Sequence, residues 1–283
     1  MRMWFYLCRG GRKGPTIIHH SSMAVCTCTP ARAAADVSHT VSMPLASEPL
    51  NAGYKVIGTT RDVSKAEAAY PDFSAKGGVW IGLDAAQINA YDQLAKYFKE
   101  LNVDVLVKNA GYPFIGGVED TSEIEVRDER EVNFYGTLRA VRACLPVTRA
   151  RGSEHIILIS HGARYVYVPM FPSFLDIKFA IEAVHESLSP EIKTLDVKVL
   201  IEEPGSFRTP FSSRIGTTVK QMVAGSRQLT SIPDYVKEVP DKAAQVIVKA
   251  TVTGYGYLRM PLGKGCVRDL EAARPIATAA DVD

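Results

Sequence analysis

Between Tyr54 and Gly263 the chain alternates short apolar, β-branched runs with amphipathic stretches of helical period, and few architectures accommodate that rhythm. Strand patterns occupy Tyr54 to Gly58, Val79 to Leu83, Val103 to Val107, His155 to Ser160 and Val197 to Ile201. Helical spacing runs through Ala85 to Leu101, Glu123 to Arg149, Ser173 to Thr194 and Asp241 to Thr251. Within Glu123 to Arg149 the inward candidates are Ile124, Val132, Leu138, Val141 and Leu145, and Pro146 is the expected kink. Strands that alternate with helices predict an α/β fold, a doubly wound parallel sheet covered by helices on both faces.

The first 45 residues break the rhythm. A sheet of this Rossmann type, three layers deep, needs a first strand, a glycine-rich turn and a helix ahead of the strand at Tyr54. Pro44 to Asn51 supplies only the end of that helix, and Gly10-Gly11-Arg12-Lys13-Gly14 lies too far upstream to act as the turn. The expected organisation is an irregular N-terminal segment over 1–45, a domain over 46–263 and a tail over 264–283. Such an abrupt change of composition is also what a shifted reading frame or a missed exon produces.

With 46% apolar residues among 283, the chain is long enough to bury a full core. Thirty-three basic and 31 acidic side chains leave a formal charge of +2, so no whole-molecule field favours nucleic acid or an anionic membrane. Small-molecule substrates are the default expectation. No run approaches the roughly 18 apolar residues of a membrane span. Five cysteines in no even framework suit a reducing compartment, and the expected location is cytoplasmic. The first 35 residues lack Asp and Glu, as a mitochondrial presequence does, but glycines and prolines interrupt any amphipathic helix there. His19, His20, Cys26 and Cys28 lack the spacing of a structural zinc site, and no metal is expected.

Four motifs stand in order along the chain: Asn109-Ala110-Gly111 after a buried strand, Asn133-Phe134-Tyr135-Gly136 inside a helix, Lys178 in the next long helix, and Pro204-Gly205-Ser206-Phe207-Arg208-Thr209 after the sixth strand. Together they resemble the short-chain dehydrogenase/reductase family, whose members bind NAD(P) and move a hydride between cofactor and carbonyl or alcohol. The resemblance implies a catalytic Asn133, a Lys178 that is both catalytic and ribose-binding, and cofactor contacts from Asp84 to the adenine, from Asn109 to the adenosine and from Thr209. It also implies pairing through the two long helices, giving a homodimer or homotetramer.

The chain departs from the family where the chemistry is concentrated. The family places a Tyr four residues before the Lys, where the ammonium lowers the phenol's pKa; here that position is Phe174, and a phenyl ring has no proton to donate. The family's Ser position falls on His161, with Ser160 one residue earlier and turned by strand alternation to the opposite face. Both are candidates, His161 because an ordinary imidazole titrates near neutrality. Tyr165 and Tyr167 are expected to line a pocket, and Lys108, in place of the family's first Asn, is expected to be solvated or to reach a substrate anion. Back-counting places the glycines of the diphosphate turn at Asp36, Thr40 and Ser42, side chains that crowd or repel a diphosphate. Thr59-Thr60-Arg61 at the end of the Tyr54 strand offers a guanidinium in place of an acid, which suits the 2′-phosphate of NADP(H).

Three functions are consistent with these residues. They are an impaired NADP(H)-dependent oxidoreductase acting on a ketone or secondary alcohol, a non-redox isomerase, lyase or cyclase using His161, and a non-catalytic scaffold or faulty reading frame.

Overall fold

The computed structural model describes residues 2–9, 21–28, 42–101, 103–109, 111–151, 154–162, 171–205, 216–217 and 240–272. Its main sheet is built from β1 (Arg2–Arg9), β2 (Ser21–Cys28), β3 (Lys55–Thr60), β4 (Val79–Gly82), β5 (Val105–Lys108), β7 (Glu154–Ile159), β8 (Val197–Pro204) and β10 (Arg259–Leu262). Two short strands, β6 (Phe114–Ile115) and β9 (Gly216–Thr217), pair separately. The order across the main sheet is β10-β8-β7-β5-β1-β2-β3-β4. β3 to β4, β5 to β7, β7 to β8 and β8 to β10 are all parallel, as the alternating pattern predicts. Val107 pairs with Ile157, and Ile157 with Leu200. These three are almost fully buried, which parallel strands covered on both faces require.

No strand is predicted before Tyr54, yet β2 pairs parallel with both β3 and β5, and β1 runs antiparallel to β2 and β5. Ser and Thr within Ser21–Cys28 dilute its apolar run, and the edges of β3 and β5 supply the backbone partners that periodicity alone does not reveal. The helix after it, α1 (Ser42–Asn51), is the one whose end Pro44 to Asn51 indicates.

Helices flank the sheet. α1 packs with α8 (Pro240–Thr253), and α4 (Ala90–Leu101) packs with α6 (Gly136–Arg151). α5 (Glu123–Arg130) packs with α7 (Pro172–Ile192). Shorter helices α2 (Val63–Ala69) and α3 (Pro71–Ala75) link β3 to β4, and α9 (Lys264–Ala272) follows β10. Among the described residues no helix is long and apolar enough to cross a membrane.

The long helix expected over Glu123 to Arg149 is interrupted, but not at Pro146. Residues Glu131–Tyr135 form a π-helical turn between α5 and α6, while Pro146 sits inside α6. A π turn adds a residue to one helical loop and is favoured where a side chain is withdrawn for another purpose; here that residue is Asn133. Just past it, a Cβ on Gly136 would lie 3.1 Å from the Cβ and carbonyl oxygen of Ala85, so the bare backbone lets the helix close on the loop after β4. Ile124, an inward candidate, is instead 72% exposed, because α5 turns a different face to α7.

At the end of β8 two consecutive acids are fully buried, Glu202 and Glu203. Arg259 on β10 donates to Glu203, whereas neither carboxylate oxygen of Glu202 has a hydrogen-bond partner among the described residues. Burial, and then the neighbouring Glu203, push the Glu202 carboxyl well above the usual carboxylate range. Because the folded pKa lies above the unfolded one, stability is fully present below about pH 4.5 and is lost as pH rises toward the folded value. Glu202→Leu is therefore expected to raise unfolding free energy at pH 8 by about 2 kcal/mol. In urea denaturation that gain shrinks as the pH is lowered toward 4.

Candidate active site

The carboxyl ends of β3, β4 and β5 open onto one edge of the sheet. After β3 the turn begins with Arg61, which is exposed, and Asp62, whose side chain caps α2 by accepting from the Lys65 amide at 2.9 Å. After β4, Asp84 is half-buried and its Oδ1 accepts from the Ala86 amide at 3.1 Å, which orients the carboxylate at the strand end. β5 ends in Lys108 and the half-buried Asn109. Lys108 is only 2% exposed, so it is neither solvated nor at the surface; it lies close enough to His185 on α7 to disfavour protonation of that ring.

Asn133, 4% exposed, joins the loop after β5 to the helix. Its Oδ1 accepts from the Tyr112 amide at 3.1 Å and its Nδ2 donates to the Tyr112 carbonyl at 2.8 Å. Thr137 Oγ1 donates to the Asn133 carbonyl at 2.8 Å, satisfying the group that the π turn exposes. Gly111 eases this closeness, since a Cβ there would lie a tight 3.3 Å from Asn133 Oδ1. The side chain thus holds the strand-end loop in register with α6.

Lys178 lies on α7 with Nζ donating to the Ile159 carbonyl at 3.0 Å, and the ammonium is 5.4 Å from the centroid of the Phe174 ring. Burial pushes its pKa down to about 8, against the opposing pull of Glu182 and Glu129. Phe174 is 4% exposed and meets His161 edge-on, with centroids 5.7 Å apart. His161 is pushed down to about 4, first by burial and then by the Lys178 charge, although the residue as a whole is half-exposed. The expected near-neutral titration of His161 therefore does not occur: the imidazole is uncharged at pH 7.

Ser160 is 4% exposed, and its hydroxyl donates to Glu182, one helical turn beyond Lys178. Glu182 also accepts from Arg259 at 2.6 Å, and Arg259 binds Glu186 and Glu203 in turn. The Ser160 hydroxyl thus belongs to a carboxylate–guanidinium network under the strand ends. Lys178, His161 and Phe174 are brought together and Asn133 clamps the adjacent loop; Thr209, Tyr165, Tyr167, Asp36 and Thr40 lie outside the described residues.

One residue of the site escapes the sequence reading. Glu129, fully buried on α5, senses the Lys178 charge. The signal for it is its spacing, since four residues separate it from Asn133 and place both on one helical face.

The family profile of the short chain dehydrogenases matches residues 38–220. The chain belongs to this family. It is similar to an oxidoreductase of Passalora fulva, claN, at 35% identity over 181 residues, which cover 60% of this chain and 83% of that protein. The structure resembles a short-chain dehydrogenase from Streptomyces avermitilis with a TM-score of 0.69 and 33% identity, covering 83% of this chain and 88% of the other. Family members that share the fold include one solved in complex with NADP and one in complex with NAD.

Replacing Asn133 by Ala removes both contacts to Tyr112 and leaves a buried amide and carbonyl without partners. A loss of roughly 2 kcal/mol in unfolding free energy is expected. Faster hydrogen exchange at the Tyr112 amide in the folded state checks that the loss lies in this clamp.

Proposed function

We propose that this chain is an NADP(H)-dependent oxidoreductase that interconverts a ketone and a secondary alcohol on a small molecule, and that it does so slowly. The observation that carries this reading is the pair Phe174 and Lys178. The lysine is half-buried and donates to the Ile159 carbonyl, while the ring one turn earlier has no hydroxyl to give. A general acid typically contributes about 10² to 10⁴ in rate, so its loss slows the reaction without removing the cofactor chemistry.

The donor set suits a nicotinamide dinucleotide at both nucleoside ends. Asp84, with one oxygen already oriented by the Ala86 amide, would accept from an adenine amine in this reading, and Asn109 follows the next strand. Lys178 presents a buried ammonium for ribose hydroxyls. Arg61, exposed after β3, provides the guanidinium that a 2′-phosphate prefers. Bound there, the dinucleotide supplies or accepts the hydride. Lys178 would hold a proton at Nζ for the reacting oxygen, and Asn133 keeps the flanking loop closed against α6. Ser42 opens α1 where the family has a glycine, and this also weakens diphosphate binding in our reading.

A non-redox reaction driven by His161 is not favoured, because an imidazole with a pKa near 4 is a weak base and carries no proton to give at neutral pH. We place the protein in the cytosol, since five cysteines in no even framework of spacings suit a reducing compartment. For its assembly we propose a homodimer or homotetramer paired through α6 and α7. Between these helices runs an apolar groove of about 420 Å³ whose walls include Leu138, Val141, Leu145, Val184 and Leu188.

Phe174→Tyr is the direct test. It is expected to raise kcat for NADPH-driven ketone reduction by about 10² or more. NADPH should bind more tightly than NADH in fluorescence titration, and Arg61→Ala should erase that preference. Wild-type turnover that Phe174→Tyr leaves unchanged would refute the impairment, and tighter NADH binding would refute the cofactor choice.

A further inference from the structure

After β4 the chain turns at Asp84, the acid proposed to meet the adenine, and the Gln87 amide closes the turn by donating to the Asp84 carbonyl at 3.1 Å. Within this turn the peptide unit between Ala85 and Ala86 is held at both ends. Its N–H donates to Asp84 Oδ1 at 3.1 Å, and its carbonyl oxygen accepts from Nη1 of Arg139, on α6, at 3.1 Å. The same Nη1 lies 3.4 Å from the Ala86 carbonyl oxygen, and Nη2 pairs with Glu131 at 2.5 Å. Glu131 is the first residue of the π turn that carries Asn133. One guanidinium thus joins the turn of Asp84 to the helix segment of Asn133.

Arg139 is out of place as a surface residue. Its side chain is only 17% exposed, whereas an arginine kept for solubility holds its head in water. Ala85 is fully buried, and a buried carbonyl needs a donor. The planar fork of the guanidinium supplies one to the turn from Nη1 while Nη2 is fixed by Glu131. A peptide unit is planar and trans, so its C=O and N–H point in opposite directions and fixing one fixes the other. The charge on Arg139 also polarises the unit, which strengthens the bond from the Ala86 N–H to the carboxylate. Arg139 therefore acts on Asp84 without touching it.

We propose that Arg139, braced by Glu131, is the positioning residue for adenine recognition: through the Ala85–Ala86 peptide it sets the carboxylate of Asp84. The inference rests on the oxidoreductase reading and on the adenine contact within it. Without the guanidinium the peptide is free to rotate, and Asp84 loses the donor that orients it. Binding the adenine then has to order the turn as well, and affinity falls by that cost.

The test is calorimetric titration of the full chain with 2′,5′-ADP, which carries the adenine and the 2′-phosphate without the nicotinamide, and with NADPH for reference. Arg139→Met keeps an apolar stem and removes the donors, and it should weaken 2′,5′-ADP binding by about tenfold. Arg139→Lys, which keeps the charge, should recover about threefold of that loss. In the Asp84→Ala background Arg139→Met should cost less than about twofold, because the group it positions is gone. In the ligand-free protein, hydrogen exchange at the Ala86 amide should quicken in Arg139→Met while exchange at the Tyr112 amide, held by Asn133, stays as it was. If Arg139→Met does not fold, Arg139→Lys carries the same cycle, with a loss of about threefold that is absent from the Asp84→Ala background. Unchanged affinity in Arg139→Met, no recovery in Arg139→Lys, losses that add fully to that of Asp84→Ala, or equal quickening at both amides would overturn the proposal and leave the oxidoreductase reading intact. Binding of NADPH but not of 2′,5′-ADP would do the same. Binding of neither nucleotide by the unaltered chain would overturn both.

Discussion

Desolvation of ionisable groups on the inner face of α7 governs the energetics of this molecule. The helix buries Ser173, Phe174, Ile177, Ile181, Glu182 and His185 against the strands beneath it, so charges on this face are held by protein groups in place of water. Lys178 and His161 shift downward and Glu129 shifts upward, each toward its neutral form.

Two buried acids on β8 show how differently such a group is accommodated. Glu203 shares Arg259 with Glu182 and Glu186, and this network ties β10 to α7 across the end of β8. Ser160 joins it through Glu182, so its hydroxyl is engaged in this network. Glu202, its neighbour in the chain, points to the other face of the sheet and has no such partner. Alternation along a strand separates a satisfied carboxylate from a costly one by a single residue.

By resemblance to the family, a phenol, a lysine and an asparagine act as one unit. Here the lysine and asparagine keep firm anchors, Lys178 on the Ile159 carbonyl and Asn133 on Tyr112, while the phenol is reduced to the ring of Phe174.

Much of this is legible in the residues themselves. Local periodicity indicates β3, β4, β5, β7 and β8 and the longer helices α4 to α7 among them, because burial on both faces leaves a continuous apolar run and burial on one face leaves a helical stripe. The four motifs point to the family, and the four-residue step from Phe174 to Lys178 exposes the missing phenol, since helical spacing fixes which side chains share a face. Tertiary structure alone decides the rest. Strand β2 finds its place only through the edges of β3 and β5, the break in the long helix falls at Asn133 because Tyr112 and Ala85 lie opposite it, and Lys108 is buried because α7 covers it. The neutrality of His161 and the raised pKa of Glu129 belong to the same class: ionisation follows from what surrounds a group in space, and the chain order does not carry that information.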